Sequence, residues 1–219
     1  MYAYNKLMLT IIDEIVTLDA HAVRASVALV SRARGRDMTA PTPCPDWTLH
    51  GLISHMAAQH YGFAAAAVGD GELTRWRPRR LSSDPVADYR AAADTVLAAF
   101  ATGGVLDRQF PLPEFAGSPV VPGRQAISFH FVDYVVHSWD VAKTLGLEAE
   151  FPADVLEVAL RVALAVPDDG SRLAPGAAFA PSLAVGGGST LDLIVAILGR
   201  SPGWKRPALR LTGDAGRGR

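Results

Sequence analysis

The sequence predicts a mainly α-helical protein built as a helix bundle. Three observations lead there. Apolar residues recur at helical spacing through four long stretches, Pro- and Gly-rich connectors separate those stretches, and convincing strand runs are few. A chain of 219 residues is long enough for one sizeable core with an appended piece.

The first helix is expected from about Leu7 to Ala33, on the spacing of Ile11, Ile12, Ile15, Leu18, Val23, Val27 and Val30, with Gly35 as its stop. Three prolines between Met38 and Trp47 forbid a helix interior there. A second helix starts at Thr48, an N-cap before Leu49, Leu52, Ile53 and Met56, and ends by Gly69. Residues 69–82, with Arg75, Arg77, Arg79 and Arg80, read as a solvated loop. Asp84 and Pro85 open a third helix that runs to Phe100 before Gly103 and Gly104. Phe110–Gly123 holds four prolines and reads as a long irregular connection. The fourth helix spans about Arg124–Leu145 and stops at Gly146. A fifth runs from Pro152 to Val166, a loop with a short extended piece at Ser182–Val185 follows, and a last helix covers about Thr190–Leu198. The resulting division is a bundle over 1–148, an extension over 149–206 packed on it, and a tail over 207–219 whose end is expected to be disordered.

Composition narrows the function. Hydrophobic residues make up 49% and charged residues 20%, as in a globular protein rather than a disordered one. The 21 basic and 22 acidic side chains nearly cancel, against the basic excess of a nucleic-acid binder. Cys44 is the single cysteine, so neither a disulfide framework nor a multi-cysteine zinc site is possible within the chain. A metal would have to rely mainly on His, Asp or Glu. No apolar stretch matches a bilayer span, and no cleavage site follows the first apolar run. The expectation is a cytoplasmic monomer or homodimer that acts on a small molecule, without nucleic-acid or membrane partners. The excess of Arg over Lys and the abundance of Ala suit a GC-rich bacterial genome.

The fourth helix carries the densest chemistry. Asp133 and His137 are four residues apart and share a helix face, and His130 lies seven residues before His137 on nearly the same stripe. On the second helix, His55 shares a face with Leu52, Met56 and Gln59 and points inward, whereas His50 and His60 read as near-surface residues. His21 reads as structural. Spacing alone supports either a divalent metal site or a buried Asp133–His137 pair, because a carboxylate among Phe131, Val132, Tyr134 and Val136 needs a partner or a cation.

The run Thr42-Pro43-Cys44-Pro45-Asp46-Trp47-Thr48, followed by Leu52-Ile53-Ser54-His55, resembles the signature of the mycothiol-dependent maleylpyruvate isomerase family, part of the DinB-like metal-binding superfamily. Val136-His137-Ser138-Trp139-Asp140-Val141-Ala142 resembles that family's second motif, and Phe179-Ala180-Pro181 and Leu198-Gly199-Arg200-Ser201-Pro202 resemble its ending. The resemblance covers about residues 17–204. It implies a DinB-like up-down four-helix bundle with a small C-terminal helical extension. It also implies a divalent metal, most often zinc, held by His55, Asp133 and His137. Asp133 stands where the family pattern has Glu, which makes His130 a candidate substitute ligand or supporting partner.

Around that core, Trp47 and Cys44 read as packing in the turn before the second helix. Asp140 is a candidate to orient His137, and Arg90 and Arg200 are candidates to bind an anionic substrate. The resemblance implies a metal-dependent isomerase or S-transferase in which metal-bound mycothiol, as thiolate, adds to a small electrophile. The alternatives are a non-catalytic metal-binding or regulatory protein, and a thiol-independent metal-assisted hydrolase or tailoring enzyme.

Overall fold

The computed structural model describes residues 14–207, apart from 46, 116, 175, 176 and 185. Among these are six α-helices: α1 (Ile15–Ser31), α2 (Leu49–Ala66), α3 (Pro85–Phe100), α4 (Gly123–Leu145), α5 (Ala153–Ala165) and α6 (Thr190–Ile197). The part of the first predicted helix before residue 14, and the expected disorder of the tail's end, lie outside the described residues.

Local chemistry explains the boundaries. The Thr48 side chain accepts the Gly51 N–H at 3.2 Å and starts α2. Asp84 accepts the Ala87 N–H at 3.1 Å and, with Pro85, starts α3. Gly146 adopts φ +70°, and the Leu147 N–H reaches back to the Ala142 carbonyl at 2.8 Å, closing α4 in a left-handed cap. Ser189 and Asp192 form a reciprocal capping box on α6. The connection expected to be wholly irregular contains a two-stranded antiparallel sheet, β1 (Gln109–Pro111) and β2 (Val120–Pro122), with Phe110 opposite Val121. Its prolines sit at strand ends, where a missing N–H costs little.

Helix α1 packs chiefly on α4 and α2 on α3, while α1 also touches α3 and α2 touches α4. The four helices therefore run α1–α3–α2–α4 around the bundle, and the long connections α1–α2 and α3–α4 cross its diagonals. This order sets α2 directly beside α4. Helices α5 and α6 pack on each other and lean on α4. Buried Arg172, between them, donates to the carbonyls of Val166, Pro167, Ala180 and Ile197, which satisfies the ends of both helices.

The core is rich in large rings: Phe63, Trp76, Tyr89, Phe100, Phe110, Phe131 and Tyr134 are almost wholly buried. Arg75, Arg77, Arg79 and Arg80 of the 69–82 segment are exposed, as their charges predict, but the segment also sends one side chain into the core. A 3₁₀ turn (Leu73–Trp76) inserts Trp76 against Gly62 of α2, with Phe63 edge-on at 4.9 Å. A Cβ on Gly62 would stand 2.3 Å from the Trp76 ring. Helix propensity favours Ala over Gly by about 1 kcal/mol, but overpacking a core costs ~1–3 kcal/mol. Gly62→Ala is therefore expected to destabilise the protein by roughly 1–2 kcal/mol in urea unfolding. An increase in stability would show that Trp76 is not held against α2.

Candidate metal centre

Two polar clusters hang from α4. The first is sealed in the core. His130 Nδ1 lies 2.6 Å from Asp19 of α1, and its Nε2 lies 3.1 Å from His60 Nδ1 of α2. His60 Nε2 meets the Tyr89 hydroxyl of α3 at 3.3 Å, and Tyr89 meets Ser26 of α1 at 2.6 Å. All five side chains are fully buried. Both ring nitrogens of His130 are thus engaged, so it does not join His55, Asp133 and His137. His60, expected near the surface, is a core residue stacked on Tyr134 at 4.1 Å. Apolar neighbours hide its polar contacts from sequence reading.

The second cluster is half-open. His55 on α2 and Asp133 and His137 on α4 bring one ligand atom each within 4.8 Å of one another. His137 Nε2 lies 3.3 Å from Asp133 Oδ1, and its Nδ1 lies 2.9 Å from Asp140 Oδ2. Asp133 keeps 21% of its side chain exposed, which leaves an approach from solvent. Trp47 lies over His55 with ring centroids 4.2 Å apart, and His137 stands edge-on to His55 at 5.3 Å.

The turn that carries Trp47 is tightly tied. Thr42 Oγ1 lies within hydrogen-bond distance of the Cys44 and Trp47 carbonyls and accepts the Cys44 N–H. Pro41 bridges Thr48, and the Leu49 N–H donates to Ala40 at 2.8 Å.

Behind His137, the structure corrects the reading of Cys44 as packing alone. Its thiol donates to Asp140 Oδ2 at 3.2 Å and accepts from Arg200 Nη2 at 3.3 Å. Arg200 Nη2 also lies 3.4 Å from Asp140. Cys44, His137 and Asp140 also bring ligand atoms within 4.8 Å of one another. The Arg200 cation on that side opposes a second cation, so the first trio is the better candidate of the two. Asp140 is fully buried, not a surface carboxylate. Arg90 is exposed and donates to Ser31 at the end of α1, so it does not reach this cluster. His21 and His50 are exposed as well.

Electrostatics separates the residues. Burial lowers the His55 pKa to about 4, helped by the charge of His137. Burial also opposes a charge on His137, but Asp133, then Asp140 and Cys44, outweigh it and raise the pKa to about 10. Burial would raise the Asp140 pKa, yet Arg200 and His137 hold it below the ordinary carboxylate value. Glu114, which sequence reading missed, receives a hydrogen bond from Gln59 at 2.5 Å. Burial pushes its carboxyl up against the pull of Gln59, and the charge of Asp133 adds to the rise. Gln59 lies one turn beyond His55, which was the available signal for a polar α2 face.

A family model described as the mycothiol maleylpyruvate isomerase N-terminal domain matches residues 20–142. Two uncharacterized proteins of Mycobacterium tuberculosis, one from strain CDC 1551 / Oshkosh and one from strain ATCC 25618 / H37Rv, are each 29% identical over 161 residues. Each match covers 71% of this chain and 80% of the relative. No solved structure matches the chain significantly.

The sealed cluster generates a pH prediction. Burial, then the charge of His130, pushes the His60 pKa well below 6.5. Between that lowered value and about 6.5 the unfolded chain binds a proton that the folded chain refuses, so stability falls as pH drops. The slope from one such group approaches about 1.4 kcal/mol per pH unit. His60→Gln is expected to flatten this part of the urea-midpoint profile between pH 6.5 and 5. Profiles of equal slope for variant and wild type would rule the assignment out.

Proposed function

Because the chain belongs to the mycothiol maleylpyruvate isomerase N-terminal domain family, we propose that it is a metal-dependent enzyme of the thiol-dependent isomerase or S-transferase type, with mycothiol as thiol and a small electrophile as substrate. The observation that carries this reading is the meeting of His55, Asp133 and His137 within 4.8 Å, from two adjacent helices, beside a solvent approach. Two imidazoles and one carboxylate suit zinc and leave a coordination position open. His137 has the support expected of a ligand, since its other nitrogen is fixed by Asp140. Asp133 is one methylene shorter than Glu, yet its Oδ1 comes within 3.3 Å of His137 Nε2, so the shorter side chain still reaches the ligand cluster.

A bound divalent metal supplies a lowered pKa to a thiol or water beside it. The protein's own residues prepare that position. His55 is neutral at pH 7 and offers a lone pair, whereas His137, whose pKa is raised to about 10, would release its Nε2 proton on becoming a ligand. Asp140 holds the His137 ring with Nε2 toward Asp133. Trp47 covers one side of the His55 ring. Glu114, held by Gln59 one turn beyond His55, is the carboxyl we assign to proton exchange with substrate.

Metal analysis of freshly purified protein is expected to find zinc in stoichiometric amount. His55→Ala is expected to lose it while keeping the wild-type circular dichroism. Turnover of an electrophile is expected to need both the metal and mycothiol. Normal metal content in His55→Ala would sink the ligand assignment, and full activity without a thiol would sink the thiol-dependent one.

A further inference from the structure

His137 has one nitrogen toward Asp133 and the other toward Asp140, so its orientation depends on where the Asp140 carboxylate is held. Asp140 is fully buried, and its Oδ2 meets three groups: His137 Nδ1 at 2.9 Å, Cys44 Sγ at 3.2 Å and Arg200 Nη2 at 3.4 Å. Its Oδ1 has no partner among the described residues. All the fixing of this carboxylate therefore passes through Oδ2. Arg200 is the permanent cation among those contacts, and it arrives from 60 residues later in the chain.

The segment around Arg200 is built to deliver it. Gly199 adopts φ +79°, and a Cβ there would stand 2.6 Å from the Ala180 carbonyl oxygen, so the turn accepts only glycine. The Arg200 N–H donates to the Val195 carbonyl at 2.8 Å, and Nη1 donates to Leu198 at 3.0 Å. The Phe179 ring lies 5.5 Å from the guanidinium. Arg200 is only 9% exposed, which is too closed to serve first as a contact for substrate. Its position lies beyond the residues that the family model matches.

We propose that Arg200 is a positioning residue for the metal centre and that metal binding is coupled to the docking of the turn that carries it. Through Asp140, Arg200 sets the His137 ring, and a metal on His137 in turn favours the docked turn. Such coupling is reciprocal by thermodynamic necessity. The inference rests on the metal reading of His55, Asp133 and His137.

The test uses the full chain and Zn²⁺ alone. Zinc affinity is measured by competition with a chromogenic chelator for wild type, Arg200→Met and Arg200→Lys. Hydrogen exchange at residues 198–204 is measured with and without zinc. Arg200→Met is expected to weaken zinc binding by about 10–100-fold, the usual effect of removing a group that orients a ligand. Arg200→Lys restores the charge without the planar fork and is expected to recover part of that loss. In wild type, zinc is expected to slow exchange at 198–204. If Arg200→Met does not fold, the wild-type exchange result decides. Wild-type zinc affinity in a folded Arg200→Met, or exchange at 198–204 indifferent to zinc, overturns the coupling alone. A wild-type chain that takes up no zinc overturns the metal reading and the coupling with it.

Discussion

Helix α4 is buried along most of its circumference, yet His130, His137 and Asp140 lie on it with 3% exposure or less. A polar group taken from water without a partner costs several kcal/mol, and an unpaired charge costs far more. Those three side chains must therefore be met by groups from elsewhere. Asp19 comes from α1, His60 from α2, Cys44 from the turn before α2 and Arg200 from the turn after α6. The burial of one polar helix thus recruits four distant parts of the chain. The bundle order serves the same end, because crossing the diagonals places both α1 and α2 against α4.

The two clusters on α4 contain similar residue types and do different work. Around His130 every nitrogen is engaged and water is shut out, so the cluster holds all four bundle helices in register and offers no position for a ligand. Around His137 one nitrogen faces a partly exposed carboxylate and the imidazole of His55. Opening to solvent and the two carboxylates beside His137 set this cluster apart from the sealed one. The difference lies in enclosure and partner geometry, not in composition.

The Pro-Cys-Pro turn combines packing with chemistry. Its prolines and the Thr42 hydroxyl stiffen the entry to α2, which sets Trp47 over His55. The same stiffness presents Cys44 to Asp140 and Arg200. A motif that reads as a structural corner therefore also helps to hold Asp140 beside His137. Arg172 plays the purely structural counterpart at the other end, tying α5 and α6 together so that Gly199 can aim Arg200 inward.

Much of this was legible before the fold was known. Apolar spacing and the capping residues Thr48, Asp84 and Gly146 determined where the helices begin and end, because these effects act within a turn of the chain. The four-residue spacing placed Asp133 and His137 on one face, and the motif resemblance pointed to His55 as their companion. The sheet of 109–122 escaped because its strands are three residues long and end in Pro, and Trp76 escaped because its seat is a glycine 14 residues away on another helix. Tertiary structure alone decided which histidine was sealed and which was open, that Arg90 stands apart, and that Cys44 and Arg200 converge on Asp140. Those outcomes depend on contacts between residues up to 156 positions apart, and local spacing holds no information at that range.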